Sequence, residues 1–291
     1  MSTASSVVLE KDSHGLEMAV MCHPSGAVAT VYLLGGHLTS WCTADGRERL
    51  FLSRRSCFAA GQPIRGGVPV IFPQFGDGPL PKHGLARTRI WELRRQGVQP
   101  DDAVWAVFGC ASTAVAAPAA WPHAFDLELA VHLDAAGIRL GLRVTNTGVA
   151  PLPFQVALHT YFAVDDIAAT RVVGLDGCEY LDSLRGRVRE TETRPEIPFD
   201  RETDRIYLQT PDELRILGAA GGEAVRIRTQ HLPDAVVWNP WIDKARAMED
   251  FGDDEYRNMV CVETGAVVPG RILAPGEEWA GLTTYTAGAA V

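Results

Sequence analysis

Apolar and polar residues alternate with a period of two along much of this chain, which is typical of strands with one buried face. The clearest alternation covers residues 138–144, and residues 127–133 repeat it just before. The link between the two runs is short and ends in Gly137. The pattern predicts an antiparallel hairpin over these two runs.

Several further runs have the composition of short strands, and Gly-, Asn- and Asp-containing turns separate them. They cover residues 27–34, 152–164, 171–173, 205–209 and 225–229. Helical periodicity is scarce, and only residues 242–251 predict a short helix. Many short strands with few short helices predict an all-β antiparallel sandwich. We expect one domain over residues 1–291, with residues 1–12 as a loose N-terminal segment.

Composition narrows the cellular setting and the partners. The 291 residues are 46% hydrophobic and carry a formal net charge of −9, which disfavours nucleic acid and anionic lipid as partners. The N-terminus lacks the basic and apolar regions of a signal peptide, and no stretch has the ~20 strongly apolar residues of a membrane span. The six cysteines form no CxxC pair. We therefore expect a cytoplasmic protein with reduced thiols.

Positive charge is concentrated in one part of this acidic chain. Residues 47–95 hold ten Lys and Arg against three acidic residues, a net charge of +7. Such a segment suits a small anionic ligand better than a polyanion. The alternative interpretation is a solvated basic surface.

The chain lacks the motifs of several large enzyme classes. It contains no P-loop, no GxGxxG after a strand, no GxSxG elbow and no HExxH. Its eight histidines do not cluster at metal-ligand spacing. We accordingly expect no metal, no nucleotide and no other cofactor.

Polar residues stand inside apolar runs in a few segments, and these carry the candidate chemistry. The segments are RGGVPVIFPQFG from Arg65, HGLARTRIW from His83, LHTYF around His159, ETDRIY around Asp204, WNPW from Trp238 and CVETG around Glu263. The paired glycines after Arg65 predict a close approach of two backbone segments.

Taken in this order, the six segments resemble the glucose-6-phosphate 1-epimerase (hexose-6-phosphate mutarotase) branch of the aldose 1-epimerase superfamily. The resemblance covers about residues 15–287. It implies a galactose-mutarotase-like β-sandwich whose active site lies on the concave face of one large sheet.

The resemblance also implies roles for individual residues. His159 matches the family's catalytic acid and Glu263 its catalytic base. The matching substrate-binding positions are Arg65, His83 and Asp204 for the sugar and Arg87 for the phosphosugar. Lys82 stands where relatives are expected to have Gln, and its charge could add to phosphate binding.

The implied reaction is the exchange of α and β anomers of hexose 6-phosphates, chiefly glucose 6-phosphate, by ring opening and reclosure. A carboxylate and an imidazole suffice for it, because one proton leaves the C1 hydroxyl and one reaches the ring oxygen. Two alternatives stay open: an epimerase of unphosphorylated hexoses and a non-catalytic sugar-binding protein. The expected partner is a small phosphosugar, and the sequence does not specify an oligomeric state.

The same residues are also open to purely structural interpretations at this point. His159 could be a satisfied core histidine, and Arg65 and Arg87 could belong to structural ion pairs. Trp238 and Trp241 have the composition of core residues more than of a sugar-stacking platform.

Overall fold

The computed structural model describes residues 4–113, 115–218 and 221–288. The described residues form 21 strands and one α-helix. The strands are β1 (Ser6–Lys11), β2 (Glu17–Cys22), β3 (Val28–Tyr32), β4 (His37–Cys42), β5 (Val70–Ile71), β6 (Glu92–Val98), β7 (Val104–Ser112), β8 (Phe125–Leu133), β9 (Gly137–Asn146), β10 (Leu152–Leu158), β11 (Tyr161–Ala163), β12 (Arg171–Val173), β13 (Glu179–Asp182), β14 (Val188–Thr191), β15 (Glu196–Pro198), β16 (Thr203–Tyr207), β17 (Glu213–Leu217), β18 (Glu223–Gln230), β19 (Asp234–Asn239), β20 (Met259–Leu273) and β21 (Glu278–Ala287).

These strands build three antiparallel sheets. The first has the order β1-β2-β3-β4, and the second has the order β14-β13-β16-β19-β20-β10-β5, with β11 also paired to β20. The third, of nine strands, has the order β15-β12-β17-β18-β21-β9-β8-β7-β6. This architecture confirms the predicted all-β sandwich.

The predicted hairpin is β8 and β9, which pair antiparallel with Leu129 opposite Leu142. Alternate residues of β8 are buried and form one face of the nine-stranded sheet. A large apolar cluster joins this face to the other two sheets and includes Leu140, Val237 and Trp41. The alternation in sequence therefore identified the core-facing positions correctly.

The eight-stranded sheet is buried on both faces at its centre. Val237 of β19 points into the main core, whereas its neighbour Val236 belongs to a second apolar cluster with Ile71, Ala157 and Ile206. Successive strand residues point to opposite faces, so the second cluster lies on the sheet face turned away from the core. Polar residues on that face surround the candidate site described below.

The expected loose start is wrong over residues 6–11. Residues Ser6–Lys11 form β1 and pair antiparallel with β2. The strand was missed because Val8 and Leu9 are both about half exposed, so its burial does not alternate. Backbone pairing to the edge of the sheet holds it in place.

The α-helix α1 spans Trp241–Ala247, with Met248 already extended. The predicted helix over 242–251 was therefore too long at its C-terminal end. Short 3-10 turns occur at Ala86–Thr88, Ile167–Ala169, Ser183–Arg185 and Glu255–Asn258. None of the helices in the described ranges has both the length and the apolar character needed to cross a membrane.

Candidate active site

A cavity of about 550 Å³ opens on the face of the eight-stranded sheet that is turned away from the core. Two rows of directly paired residues from β16, β19 and β20 cross this face. The rows are Asp204, Trp238 and Cys261, then Ile206, Val236 and Glu263. The rows lie two residues apart along each strand, so all six side chains share this face.

Loops that rise from the sheet complete the cavity wall. The structure places all seven sequence-predicted site residues in its lining: Arg65, Lys82, His83, Arg87, His159, Asp204 and Glu263. Residues that are far apart in the chain therefore meet in one place.

His159 and Glu263 are in direct contact. Nε2 of His159 lies 3.3 Å from Oε1 of Glu263, and both side chains are almost completely buried. The second carboxyl oxygen of Glu263 is buried without a hydrogen-bond partner among the described residues. Leaving a carboxyl oxygen buried and unsatisfied costs free energy, and a catalytic role is one explanation for such a group.

Burial acts on both groups of this pair. It raises the pKa of Glu263 well above its ordinary value, and the nearby Asp204 carboxyl adds to the increase. Burial lowers the pKa of His159 well below its ordinary value, as do His83, Arg65 and Arg87. The two shifts have the same physical cause, because burial disfavours the charged form of each group.

Tyr161 holds the imidazole of His159 from one side. The two rings stack with centroids 4.8 Å apart and planes 12° from parallel. Arg65 donates from Nη1 to the Tyr161 hydroxyl over 2.9 Å and from Nε to Asp250 over 3.1 Å. The guanidinium of Arg65 therefore fixes the ring on which His159 rests.

The two glycines after Arg65 permit the close approach that places this segment. Gly66 and Gly67 both have positive φ, of 116° and 58°. A Cβ on Gly66 would lie 2.4 Å from the Phe51 carbonyl oxygen, and one on Gly67 would lie 2.4 Å from that of Leu38. The Gly67 carbonyl then accepts from the Tyr161 amide, which couples the two motifs.

His83 stands next to His159 in a loop that the sheet anchors. Gln155 of β10 accepts a hydrogen bond from the Phe75 amide and donates one to the Val267 carbonyl. The Gly76 amide donates to Nδ1 of His83 over 3.3 Å, and burial lowers the pKa of His83 to about 3. The ring is therefore neutral with its proton on Nε2, which makes it a hydrogen-bond donor in the cavity wall.

Arg87 brings a positive charge to the cavity wall. Its Nη2 donates to the Lys82 carbonyl over 2.7 Å, whereas its Nε is buried without a hydrogen-bond partner. Within the described ranges no carboxylate forms an ion pair with it. Burial lowers its pKa from the ordinary value, because a desolvated charge is unfavourable when unpaired.

The remaining two predicted residues differ in their surroundings. Asp204 is largely buried on β16, and burial raises its pKa. Lys82 is exposed at the rim, with Nζ 4.0 Å from Asp77. Lys82 thus faces solvent, whereas Asp204 lies on the sheet near Glu263.

The sequence analysis missed several residues of the site. Tyr161 and Cys261 lie inside quoted motifs, but nothing in the sequence distinguished them from core residues. Asp250 follows the helix, and its pairing with Arg65 had no local signal. Trp238, interpreted as a core residue, lines the cavity beside Arg187, Lys244 and Met248.

In the described part of the chain, no three His, Cys, Asp or Glu side chains gather in an arrangement that could hold a metal ion.

Comparison with known sequences gives a consistent set of relatives. The description of the family "Aldose 1-epimerase" matches residues 17–286. A Cenchrus ciliaris protein provisionally named glucose-6-phosphate 1-epimerase is 41% identical over 96% of this chain and 87% of its own. An Escherichia coli protein with the same provisional name is 35% identical over 86% of this chain and 83% of its own.

Solved structures agree with the sequence comparison. A Salmonella typhimurium protein provisionally described as a mutarotase superposes with a TM-score of 0.85 at 28% identity, covering 97% of both chains. A galactose 1-epimerase from Lactobacillus acidophilus, at 13% identity and a TM-score of 0.71, covers 98% of both chains and shares the fold.

Proposed function

Because the chain belongs to the aldose 1-epimerase family, we propose that it interconverts the α and β anomers of hexose 6-phosphates, chiefly glucose 6-phosphate. The observation that carries the proposal is the buried contact between His159 and Glu263, with one Glu263 oxygen unused. An acid and a base at the wall of one cavity are what anomer exchange requires.

In the proposed mechanism, Glu263 accepts the proton of the C1 hydroxyl while His159 donates a proton from Nε2 to the ring oxygen. The bond between C1 and the ring oxygen breaks, and rotation about C1–C2 presents the other face of the aldehyde. Ring closure reverses both transfers, so the pair ends with the protons it started with. Each group must both give and take a proton during the cycle, and the direct contact of imidazole and carboxyl group at the cavity wall suits this role.

His83 and Asp204 supply complementary contacts to the sugar in this proposal. The neutral His83 donates a hydrogen bond, and the carboxylate of Asp204 accepts one from a hydroxyl group. The guanidinium of Arg65 is already hydrogen-bonded to Asp250 and Tyr161. We therefore assign Arg65 mainly the role of orienting the side chains of the site.

Arg87 is the proposed contact for the phosphate. An epimerase accepts both anomers, so its binding energy is best drawn from the end of the sugar far from C1. A guanidinium can meet a phosphate with two charge-assisted hydrogen bonds. The absence of an ion-pair partner for Arg87 in the described residues supports this assignment.

The decisive experiment is NMR exchange spectroscopy on glucose 6-phosphate and on glucose, with and without the protein. We expect faster anomer exchange for the phosphosugar. Equal kcat/KM values for the two sugars would favour an epimerase of free hexoses. Binding of either sugar without acceleration would indicate a non-catalytic sugar-binding protein.

A further inference from the structure

Strand β20 contacts both ring nitrogens of His159. Glu263 lies against Nε2, and the thiol of Cys261, two residues earlier on the same face, lies 3.7 Å from Nδ1. The distance is within the range of a hydrogen bond that involves sulfur. The imidazole is thus held at both polar ends by one strand.

The position of Cys261 is fixed by the sheet on either side. Its Cα partners are Tyr161 on β11 and Trp238 on β19. Tyr161 stacks on the His159 ring, and Trp238 meets the ring edge-on with centroids 6.1 Å apart. Cys261 is completely buried among these aromatic rings, so its sulfur cannot turn away to solvent.

We propose that Cys261 is a positioning residue for the reaction: its thiol occupies Nδ1 of His159 so that Nε2 faces Glu263 and the substrate. This inference rests on the proposed function for its catalytic consequence. Turning the ring over would place a carbon at Glu263 and another carbon at the thiol. The polar contact at Nδ1 therefore favours the productive orientation.

A thiol suits this place because it both donates and accepts weak hydrogen bonds. It can accept from a protonated Nδ1, which keeps its proton while Nε2 gives and regains one, and it can donate to Nδ1 when a neutral ring carries its proton on Nε2. A carboxylate at the same place would add a charge and stabilise the imidazolium. Burial raises the pKa of Cys261 well above its ordinary value, which keeps the group an uncharged thiol.

Other charged or titratable groups face His159 from the surrounding elements. They are His83, Arg65, Arg87 and Tyr161, together with Glu263 on β20. His83 meets the ring edge-on, Tyr161 stacks on its face and Glu263 lies against Nε2. Arg65 and Arg87 act on the ring through their charge. The side-chain contact of Cys261 is with Nδ1, which gives it a separate role.

The test compares Cys261→Ala and Cys261→Ser with the parent protein. The serine hydroxyl can donate and accept as the thiol does, whereas alanine leaves Nδ1 without this contact. We expect Cys261→Ala to lower kcat for glucose 6-phosphate roughly 2- to 12-fold, the range for loss of one hydrogen bond, with KM changed less than 2-fold. We expect Cys261→Ser to recover most of the loss.

A second measurement is independent of turnover. The imidazole ¹⁵N resonances of His159 report which nitrogen carries the proton and whether Nδ1 is hydrogen-bonded. We expect the Nδ1 resonance to move in Cys261→Ala and to return toward the parent position in Cys261→Ser. This readout remains informative if the parent protein proves not to accelerate anomer exchange.

Cys110→Ala is the matched control, because Cys110 is also buried but lies on β7 of the nine-stranded sheet. It should change neither kcat nor the His159 resonances. Equal losses in Cys261→Ala and Cys261→Ser would overturn the proposal in favour of a packing role. Unchanged His159 resonances in Cys261→Ala would overturn it as well.

Discussion

His159 and Glu263 approach to 3.3 Å across a wall of the cavity, and neither has more than a small fraction of its side chain exposed. His159 directly follows β10, and Glu263 is the fifth residue of β20, the strand paired with β10. The sheet therefore joins two groups that the chain keeps far apart.

Removing either member of this pair should abolish most of the activity. We expect His159→Ala and Glu263→Gln to slow anomer exchange of glucose 6-phosphate at least ~100-fold, the low end for general acid–base catalysis. NMR exchange spectroscopy measures the rates, with circular dichroism as a check on folding. Glu10→Gln, at an exposed position on β1, is the control and should leave the rate unchanged. Near-parent rates in a folded His159 or Glu263 variant would refute these roles.

Glu263→Gln should also stabilise the fold at neutral pH. The pKa of Glu263 is higher in the folded protein than in the unfolded chain, so ionisation of this group disfavours folding as pH rises. Gln cannot ionise, and we expect a higher Tm than the parent's near pH 8. The difference should shrink below pH 4.5, where the unfolded chain also protonates this carboxyl group. A Tm difference that is independent of pH would contradict the raised pKa.

Arg87→Ala should weaken binding of the phosphosugar selectively. Loss of a charge-assisted hydrogen bond of about 1.5–3 kcal/mol should raise KM for glucose 6-phosphate roughly 10- to 150-fold, with a smaller change for glucose. In the parent protein, higher ionic strength should likewise weaken the binding of glucose 6-phosphate more than the binding of glucose. Arg95→Ala is the control, because Arg95 is exposed and paired with Glu128 on the nine-stranded sheet. If Arg87→Ala raises KM equally for both sugars, Arg87 does not contact the phosphate.

Tyr161→Phe should disturb the orientation of the catalytic side chains more than the binding of the substrate. The change keeps the ring that stacks on His159 and removes the hydroxyl that accepts from Arg65 over 2.9 Å. A hydrogen bond to a charged group contributes about 1.5–3 kcal/mol, so we expect kcat to fall roughly 10-fold or more. KM for glucose 6-phosphate should change less. A variant with parent kcat and a raised KM would instead place Arg65 in direct contact with the substrate.

The sequence by itself determined the hairpin, the core-facing residues and seven candidate residues that line one cavity. Alternation over residues 127–144 specifies which side chains point inward, since a strand has a side-chain period of two. The motifs around Arg65, His83, His159, Asp204 and Glu263 named residues that do line one cavity. The two glycines after Arg65 also signalled a close backbone approach, because few other residues tolerate it.

Only the tertiary structure decided how these residues are partnered. Strand pairing is long-range, so the sequence could not reveal that Asp250 occupies Arg65 while Arg87 stays unpaired in the described chain. It also could not distinguish Cys261 from a core residue, because both faces of β20 are buried and periodicity does not say which face meets a cavity. The strand Ser6–Lys11 was missed for a related reason: backbone pairing to a neighbour holds it, and its side chains carry no record of that pairing.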